Sequence, residues 1–177
     1  NHRFHASIMD AIKIIKDGSM GEVVNLRGVY GKSNMISFNQ TDWRTKRSES
    51  GGGILLDQGI HMLDLMRYFG GDFNNVHSYI SNSFWNFDVE DNAYVMMKSN
   101  KGVVVNLNVT VEKGSLVLGG LRTSSKSYGE ETLTIISSED GNQGTPEVEK
   151  RSYDKDISWD EEIKSFAKVL SGSDKIE

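Results

Sequence analysis

The sequence contains no cysteine, no long apolar run and no excess of positive charge, and each absence excludes a class of protein. Without cysteine there is neither a disulfide framework nor a thiolate metal site, which is consistent with a cytoplasmic protein. The apolar runs are too short to span a membrane, so we expect no membrane partner. The formal net charge of -5 does not attract phosphate backbones, so we expect no nucleic-acid partner.

Motifs that bind phosphates, dinucleotides or metals are also missing. The sequence has no Gly-x-Ser-x-Gly, no Gly-rich phosphate loop and no Gly-x-Gly-x-x-Gly fingerprint. His2, His5 and His77 lack metal-ligand spacing to any carboxylate, so no metal site is predicted. The chain therefore has no evident dinucleotide site of its own.

The composition that is present is typical of a globular protein. Hydrophobic residues make up 37% and charged residues 25%, without low-complexity tracts or internal repeats. A length of 177 residues is sufficient for one well-buried core, so we expect a single domain over residues 1–177. Because the sequence starts at Asn1 and ends directly after a helical pattern, we expect a fragment of a longer protein.

Apolar spacing predicts three helices and a largely antiparallel sheet. The helices are expected at about residues 5–17, 53–69 and 159–170, the last capped by Ser158 or Asp160. A period of two from Phe73 onward predicts a meander of strands. This order favours an α+β fold with one open sheet and helices on one side. Strands are expected at residues 22–31, 73–83, 92–98, 103–111, 116–118 and 132–136, and a polar loop at residues 32–50.

The most informative segment is the predicted helix that follows Gly51-Gly52-Gly53. It places Asp57 and His61 four residues apart, which on an α-helix puts both side chains on one face. A carboxylate beside an imidazole can act as an acid/base pair, and three glycines could leave N–H groups free to face a small ligand. The alternative interpretation of the same spacing is a solvated polar stripe on the helix surface, without a catalytic role. Gly59 inside the helix predicts that a backbone or ligand approaches closely there.

A second candidate is Asp42-Trp43-Arg44 in the polar loop. Arginine can bind a carboxylate or phosphate through two parallel hydrogen bonds, and tryptophan can stack on a sugar ring. The alternative is an ordinary surface arginine packed on a partly buried tryptophan. Lys46 and Arg47 make the segment locally basic, which favours an anionic ligand.

These residues together resemble a known family. The sequence is similar to the second domain of the glucose-fructose oxidoreductase, inositol dehydrogenase and MocA family, and the similarity covers nearly the whole chain. The matching motifs are Asn1-x-Arg3-Phe4, Gly21-Glu22-Val23, Trp43-Arg44 and Gly51-Gly52-Gly53-x-Leu55-x-Asp57-x-Gly59-x-His61-x-x-Asp64.

The resemblance implies a two-domain oxidoreductase that uses NAD or NADP and acts on a sugar, polyol or sugar nucleotide. The fold would be that of a glyceraldehyde-3-phosphate dehydrogenase-like C-terminal domain, and a Rossmann domain with a catalytic lysine would lie upstream. By position, His61 resembles the family's acid/base and Asp57 the carboxylate beside it, while Arg44, Trp43 and Gln58 fall on the substrate side. The resemblance also implies a homo-oligomer formed through the open sheet face.

Two other functions agree with the same residues. Members that resemble this family include NAD-dependent glycoside hydrolases, and a non-catalytic sugar-binding or oligomerisation module would share the fold. The basic loop around Arg44 mildly favours a sugar nucleotide. The choice between NAD and NADP belongs to the upstream domain.

Overall fold

The computed structural model of this protein describes residues 1–30, 43–83, 86–105, 109–111, 114–120, 130–137 and 146–173, with the backbone alone at residues 104, 105 and 109–111. The chain divides into two compact units. The first unit is Asn1–Val24 with Asn108–Glu177, and the second unit is Asn25–Leu107. Each unit combines helices with strands, as expected for the α+β class.

The elements of the described residues follow one another along the chain. The α-helices are α1 (Ala6–Asp17), α2 (Arg47–Ser50), α3 (Ile60–Gly70) and α4 (Ser158–Leu170). Short 3-10 turns lie at His2–Phe4 and Trp43–Thr45, and a π-helix at Leu55–Gly59. The strands are β1 (Val23–Leu26), β2 (Phe73–Ser81), β3 (Asn92–Ser99), β4 (Val104–Val105), β5 (Val109–Val111), β6 (Gly114–Gly119), β7 (Glu131–Ser137) and β8 (Glu147–Tyr153).

The core of the first unit lies between α1 and its sheet. Strands β5, β6, β7 and β8 are successive antiparallel neighbours, and α1 packs on β6, β7 and β8. Ile8 on α1 and Leu116 and Leu133 on the strands are fully buried. Gly18 ends α1 with a φ of 73°, a left-handed conformation that glycine adopts without strain, as the sequence predicts.

A buried acidic side chain joins α1 to β7 in this unit. Glu131 is fully buried, accepts a hydrogen bond from the Ser7 backbone N–H at 2.8 Å, and lies 3.3 Å from Nδ1 of His5. Burial by itself raises the pKa of Glu131, but the hydrogen bonds from His5 and Ser7 outweigh it, so the pKa is lowered. Glu131 is therefore held as a carboxylate that fixes the start of α1.

Helix α4 has the expected position but a different start. Ile157 is the N-cap and Ser158 is already helical, so the prediction of Ser158 or Asp160 as cap is wrong. The Asp156 carboxylate accepts hydrogen bonds from the Ser158 N–H and hydroxyl instead.

No helix among the described residues has the length and apolar character needed to cross a membrane. The apolar side chains of α4 are solvent-exposed, by 53% to 72%: Trp159, Ile163, Phe166 and Leu170.

The second unit carries the glycine-led segment. Its strands lie in the order β2-β3-β4-β1, with antiparallel pairs except for β1 and β4, which run parallel. Leu26 at the end of β1 and Leu65 on α3 are buried, as are Met66 and Phe69 on the same helix. Apolar packing of α3 therefore anchors the segment that precedes it.

Several predicted boundaries differ from the structure. The strand predicted at 103–111 is described as β4 and β5, with residues 106–108 outside the described part. The sequence does not predict β8, because Glu147–Tyr153 is mostly charged or polar and its apolar residues do not alternate to form one face. The predicted loop at 32–50 contains a 3-10 turn and α2 at its end, while residues 31–42 lie outside the described residues.

Candidate functional site

The predicted helix at 53–69 is interrupted by a π-helix. Leu55–Gly59 is π-helical and α3 begins at Ile60, so Asp57 lies in the π turn and His61 in the first turn of α3. A π-helix hydrogen-bonds five residues back instead of four. The prediction of one regular α-helix is therefore wrong at its start, and the α-helical repeat does not define how Asp57 and His61 align. Both side chains are half-buried.

The triglycine turn is held by a residue that is distant in sequence. Gly53 N–H donates to Oε1 of Glu90 at 2.8 Å, and Ile54 N–H donates to the Glu90 carbonyl at 3.0 Å. Gly51 N–H also donates to the Arg47 carbonyl, so the expectation of N–H groups free to face a ligand is wrong for Gly51 and Gly53. Backbone and side chain of Glu90 together fix the entry to the helix that bears Asp57 and His61.

Close backbone approach occurs at Gly53 and not at Gly59. A Cβ on Gly53 would lie 2.0 Å from the carbonyl oxygen of Glu90. The nearest atom to a Cβ on Gly59 would be Cδ1 of Leu55, at 2.9 Å, which is the end of a flexible side chain, and the Ile54 carbonyl oxygen would lie at an ordinary 3.7 Å. The prediction of a close backbone approach at Gly59 is therefore wrong within the described residues, and Gly53 has that requirement. A close approach of a ligand at Gly59 stays a prediction.

Glu90 was missed in the sequence because its contacts are not local. Its side chain is only 8% exposed, and Oε2 lies 3.6 Å from Nη2 of Arg47. Arg47 also donates from Nε to the Asp88 carbonyl at 3.2 Å. The hydrogen bond to Gly53 joins residues 37 positions apart, and no spacing rule predicts such a pair.

Asp57 lies at the centre of a chain of polar contacts. Gln58 Nε2 donates to Oδ2 of Asp57 at 2.9 Å, and the Tyr30 hydroxyl donates to Oε1 of Gln58 at 2.7 Å. Arg44 Nε lies 4.0 Å from Oδ1 of Asp57. Burial, and then the negative charge of Asp57, raise the pKa of Tyr30, so its hydroxyl stays protonated as a donor. The sequence placed Tyr30 only as a strand residue.

Trp43 and Arg44 are stacked on each other beside this chain of contacts. The Arg44 guanidinium carbon lies 4.5 Å from the centre of the Trp43 ring, a cation–π arrangement. Trp43 remains 48% exposed, so part of its ring is accessible to a ligand. This stacking matches the alternative interpretation of Trp43 and Arg44 as a surface arginine packed on a tryptophan. In the same arrangement, Arg44 also lies near Asp57.

A cavity of about 220 Å³ brings part of the predicted set together. Its lining includes Trp43, Arg44 and Asp57, together with Glu90 and Gly53. Gln58 and His61 are not among the described residues that line it. Gln58 contacts the cavity residue Asp57, and His61 follows Asp57 by four positions on the same helical segment.

Among the described residues, no group of three or more His, Asp or Glu side chains is arranged to hold a metal ion. The predicted absence of a metal site in the whole chain stays a prediction.

The described residues form an α+β fold with a cavity in its second unit, and comparison with known sequences identifies the family of the chain. Residues 8–116, more than half of the chain, match the GFO/IDH/MocA C-terminal domain. The chain therefore belongs to the GFO/IDH/MocA family, which confirms the resemblance found in the sequence.

One similar protein is the levoglucosan dehydrogenase of Pseudarthrobacter phenanthrenivorans. The two sequences are 32% identical over 82 residues, which are 46% of this chain and 21% of that protein.

Solved structures share the fold. A levoglucosan dehydrogenase in complex with NADH and levoglucosan superposes with a TM-score of 0.71 at 20% identity, over 86% of this chain and 45% of that chain. An oxidoreductase from Desulfitobacterium hafniense, described as NADPH-dependent, superposes with a TM-score of 0.76 at 16% identity, over 100% of this chain and 55% of that chain. An aldose-aldose oxidoreductase from Caulobacter crescentus, in complex with glycerol, superposes with a TM-score of 0.71 at 22% identity, over 99% of this chain and 53% of that chain. The predicted fold class is confirmed, and the chain spans about half the length of these structures.

Proposed function

We propose that this chain is the substrate domain of an NAD- or NADP-dependent oxidoreductase that transfers hydride from a hydroxyl-bearing carbon of a sugar, polyol or sugar nucleotide. The observation that carries the proposal is the cavity that joins Trp43, Arg44 and Asp57 beside the helix bearing His61. Membership of the GFO/IDH/MocA family and the sugar-acting relatives support it.

The proposal places this chain in a longer two-domain protein. The solved relatives bind NADH in one case and are described as NADPH-dependent in another, which supports a nicotinamide cofactor without choosing its form. The sequence has no dinucleotide fingerprint, so we assign no cofactor-binding residue to this chain. The cofactor would be bound mainly by a separate Rossmann domain.

In the proposed mechanism the residues of this chain hold the substrate and move its proton. The exposed part of Trp43 packs on the apolar face of a sugar ring, and Arg44 and Asp57 bind its hydroxyl groups. His61 takes the proton of the reacting hydroxyl as general base. Asp57 is oriented by the hydrogen bond from Gln58, which itself accepts one from the Tyr30 hydroxyl, and its charge favours the charged imidazole that results. The cofactor, held mainly by the separate Rossmann domain, would supply the acceptor for the hydride of the same carbon.

His61→Ala in the full-length protein tests this assignment. Loss of a general base should reduce kcat by about 100-fold or more, while the Kd of NADH changes little. Steady-state rates and NADH fluorescence titration measure the two quantities, and Arg67→Ala on the exposed side of α3 serves as control. Unchanged turnover in His61→Ala would refute the assignment. Glycosidic cleavage without net formation of NADH or NADPH would favour a hydrolase instead.

We also propose that the protein forms a homo-oligomer through the open sheet face of the second unit. Tyr79 pairs directly with Tyr94 across β2 and β3, and His77 pairs with Met96. Tyr79 is 83% exposed, and Tyr94 and Met96 are exposed beside it. Exposed aromatic and methionine side chains are typical of protein interfaces. Light scattering of the full-length protein and of Tyr79→Lys should show a larger particle in the first case only.

A further inference from the structure

We infer that the cavity is a subsite for an apolar group of the substrate, such as the phenyl or alkyl aglycone of a glycoside. The inference rests on the proposed function, since it concerns the same site and adds a chemical group to its ligand. It is carried by the apolar side chains of the lining, by the internal bonding of the polar ones and by the cavity volume.

Large apolar side chains from three segments of the second unit line the cavity. They are Trp43, Ile54, Leu56, Phe87 and Val89. Trp43 is 48% exposed and Leu56 is 50% exposed, so apolar surface is open to water here. Removal of such surface from water favours binding, and ligand sites are typically lined by apolar side chains with a few polar groups that fix orientation. The lining therefore favours an apolar group.

Polar side chains of the same lining are bonded to other groups of the protein. The Ser50 hydroxyl donates to a backbone carbonyl at 2.8 Å, and Oδ1 of Asp91 accepts from the Ser83 N–H at 2.9 Å. The buried Glu90 carboxylate accepts from the Gly53 N–H at 2.8 Å. Because these groups already have hydrogen-bond partners in the protein, they do not require a polar ligand.

Arg44 and Asp57 form the polar side of the cavity. Their side chains are partly exposed, and Nε of Arg44 lies 4.0 Å from Oδ1 of Asp57. These are the two side chains that the proposed mechanism gives to the hydroxyl groups of the sugar. The cavity thus joins apolar surface directly to the groups proposed to hold a sugar, which is the combination that a glycoside with an apolar aglycone requires.

The volume of the cavity suits a single aromatic ring. The cavity measures about 220 Å³. An apolar protein cavity of about 150 Å³ holds a benzene molecule. A phenyl group therefore fits, with space for the atom that links it to a sugar.

The test compares matched ligands on the full-length protein. Phenyl β-D-glucoside and methyl β-D-glucoside share the sugar and differ in the aglycone, while benzyl alcohol and methanol make the same comparison without a sugar. Ligand-observed NMR titration gives Kd. We expect the aromatic member of each pair to bind at least about 10-fold more tightly. Equal or weaker binding of the aromatic member in either pair would overturn the inference.

Two variants with the same loss of side-chain volume class provide a matched control. Leu56 and Ile60 lie on the same helical segment and are 50% and 48% exposed, but Leu56 lines the cavity and Ile60 does not. We expect Leu56→Ala to reduce the preference for the aromatic ligands several-fold and Ile60→Ala to leave it unchanged. An equal effect of both variants, or no effect of Leu56→Ala, would contradict the subsite.

The cofactor is a second source of aromatic rings. Titrations with benzyl alcohol are therefore repeated with saturating NAD and with saturating NADP. We expect the same Kd with and without the cofactor, because the inference assigns the cavity to the substrate. Loss of benzyl alcohol binding in the presence of either cofactor would overturn that assignment.

Binding measures this inference and turnover measures the proposed function, so the two can fail separately. Tight binding of the aromatic ligands, with no formation of NADH or NADPH from glycosides or free sugars, would refute the oxidoreductase and leave the apolar subsite standing. Oxidation of a sugar without any preference for the aromatic ligands would refute the subsite and leave the oxidoreductase standing.

Discussion

Replacement of Gly53 by alanine is the most direct test of how the site is positioned. The added Cβ would lie 2.0 Å from the Glu90 carbonyl oxygen and 2.9 Å from the Glu90 backbone carbon and nitrogen. Because these neighbours are backbone atoms, no side-chain rotation relieves the overlap. The segment that contains Gly53 and the segment that contains Glu90 must therefore move apart.

The expected loss of stability follows from the contacts that separation breaks. The hydrogen bond from Ile54 N–H to the Glu90 carbonyl contributes about 1 kcal/mol, and the bond from Gly53 N–H to the Glu90 carboxylate about 1.5 to 3 kcal/mol. Overpacking adds about 1 to 3 kcal/mol. We therefore expect Gly53→Ala to lower the free energy of unfolding by about 4 to 7 kcal/mol and to reduce turnover, since Asp57 lies one turn further on.

Gly59→Ala is the matched control on the same segment. Gly59 has φ -63° and ψ -29°, which alanine adopts without strain, and the only close neighbour of its Cβ among the described residues, at 2.9 Å, would be a methyl group of Leu55. Helix propensity favours alanine by up to about 1 kcal/mol, which offsets the shift of Leu55. Urea denaturation of both variants in the full-length protein measures the difference. Equal stability of the two variants would refute the role given to Glu90.

Two further predictions concern buried carboxylates. Glu90→Gln keeps the shape of the side chain but removes its charge, so we expect denaturant unfolding to show a loss of about 1 to 2 kcal/mol and Glu90→Ala a larger loss. Unchanged stability of Glu90→Gln would contradict the charged hydrogen bond. Glu131→Gln should cost roughly 3 kcal/mol at pH 7, because Glu131 is buried beside His5. Since the folded pKa of Glu131 is lowered, its stabilisation exists above the unfolded pKa of about 4.3 and is lost as pH falls through the folded value. The difference between the two proteins should therefore shrink below about pH 4 in acid titration of stability, and a difference independent of pH would contradict it.

The sequence predicted the elements that carry a strong apolar repeat. Helix α1 with its stop at Gly18 and the end of α3 at Gly70 follow from 3.6-residue spacing and glycine termination. The turn between β3 and β4 was likewise expected from Asn100-Lys101-Gly102. Local patterns define these elements because their side chains pack on the face that the repeat selects.

The parts that were wrong depend on contacts between distant residues. The π-helix at Leu55–Gly59 keeps the same apolar composition as an α-helix, so periodicity does not distinguish them. The hydrogen-bond acceptor for the glycine turn is Glu90, which no local rule connects to Gly53. The roles of His61, Asp57, Arg44, Trp43 and Gln58 in catalysis and binding stay predictions.

The two hydrogen bonds that Glu90 accepts, from Gly53 and Ile54, make the connection between β2 and β3 intolerant of changes in length. Glu90 lies at the end of residues 82–91, which link β2 to β3, and connections of this kind usually accept insertions at little cost. Here an added residue between Ser81 and Glu90 would displace both the carboxylate and the carbonyl that receive Gly53 and Ile54. Relatives that differ in the length of this connection should therefore also differ at the start of the site helix that precedes β2, so that the two segments evolve as one unit.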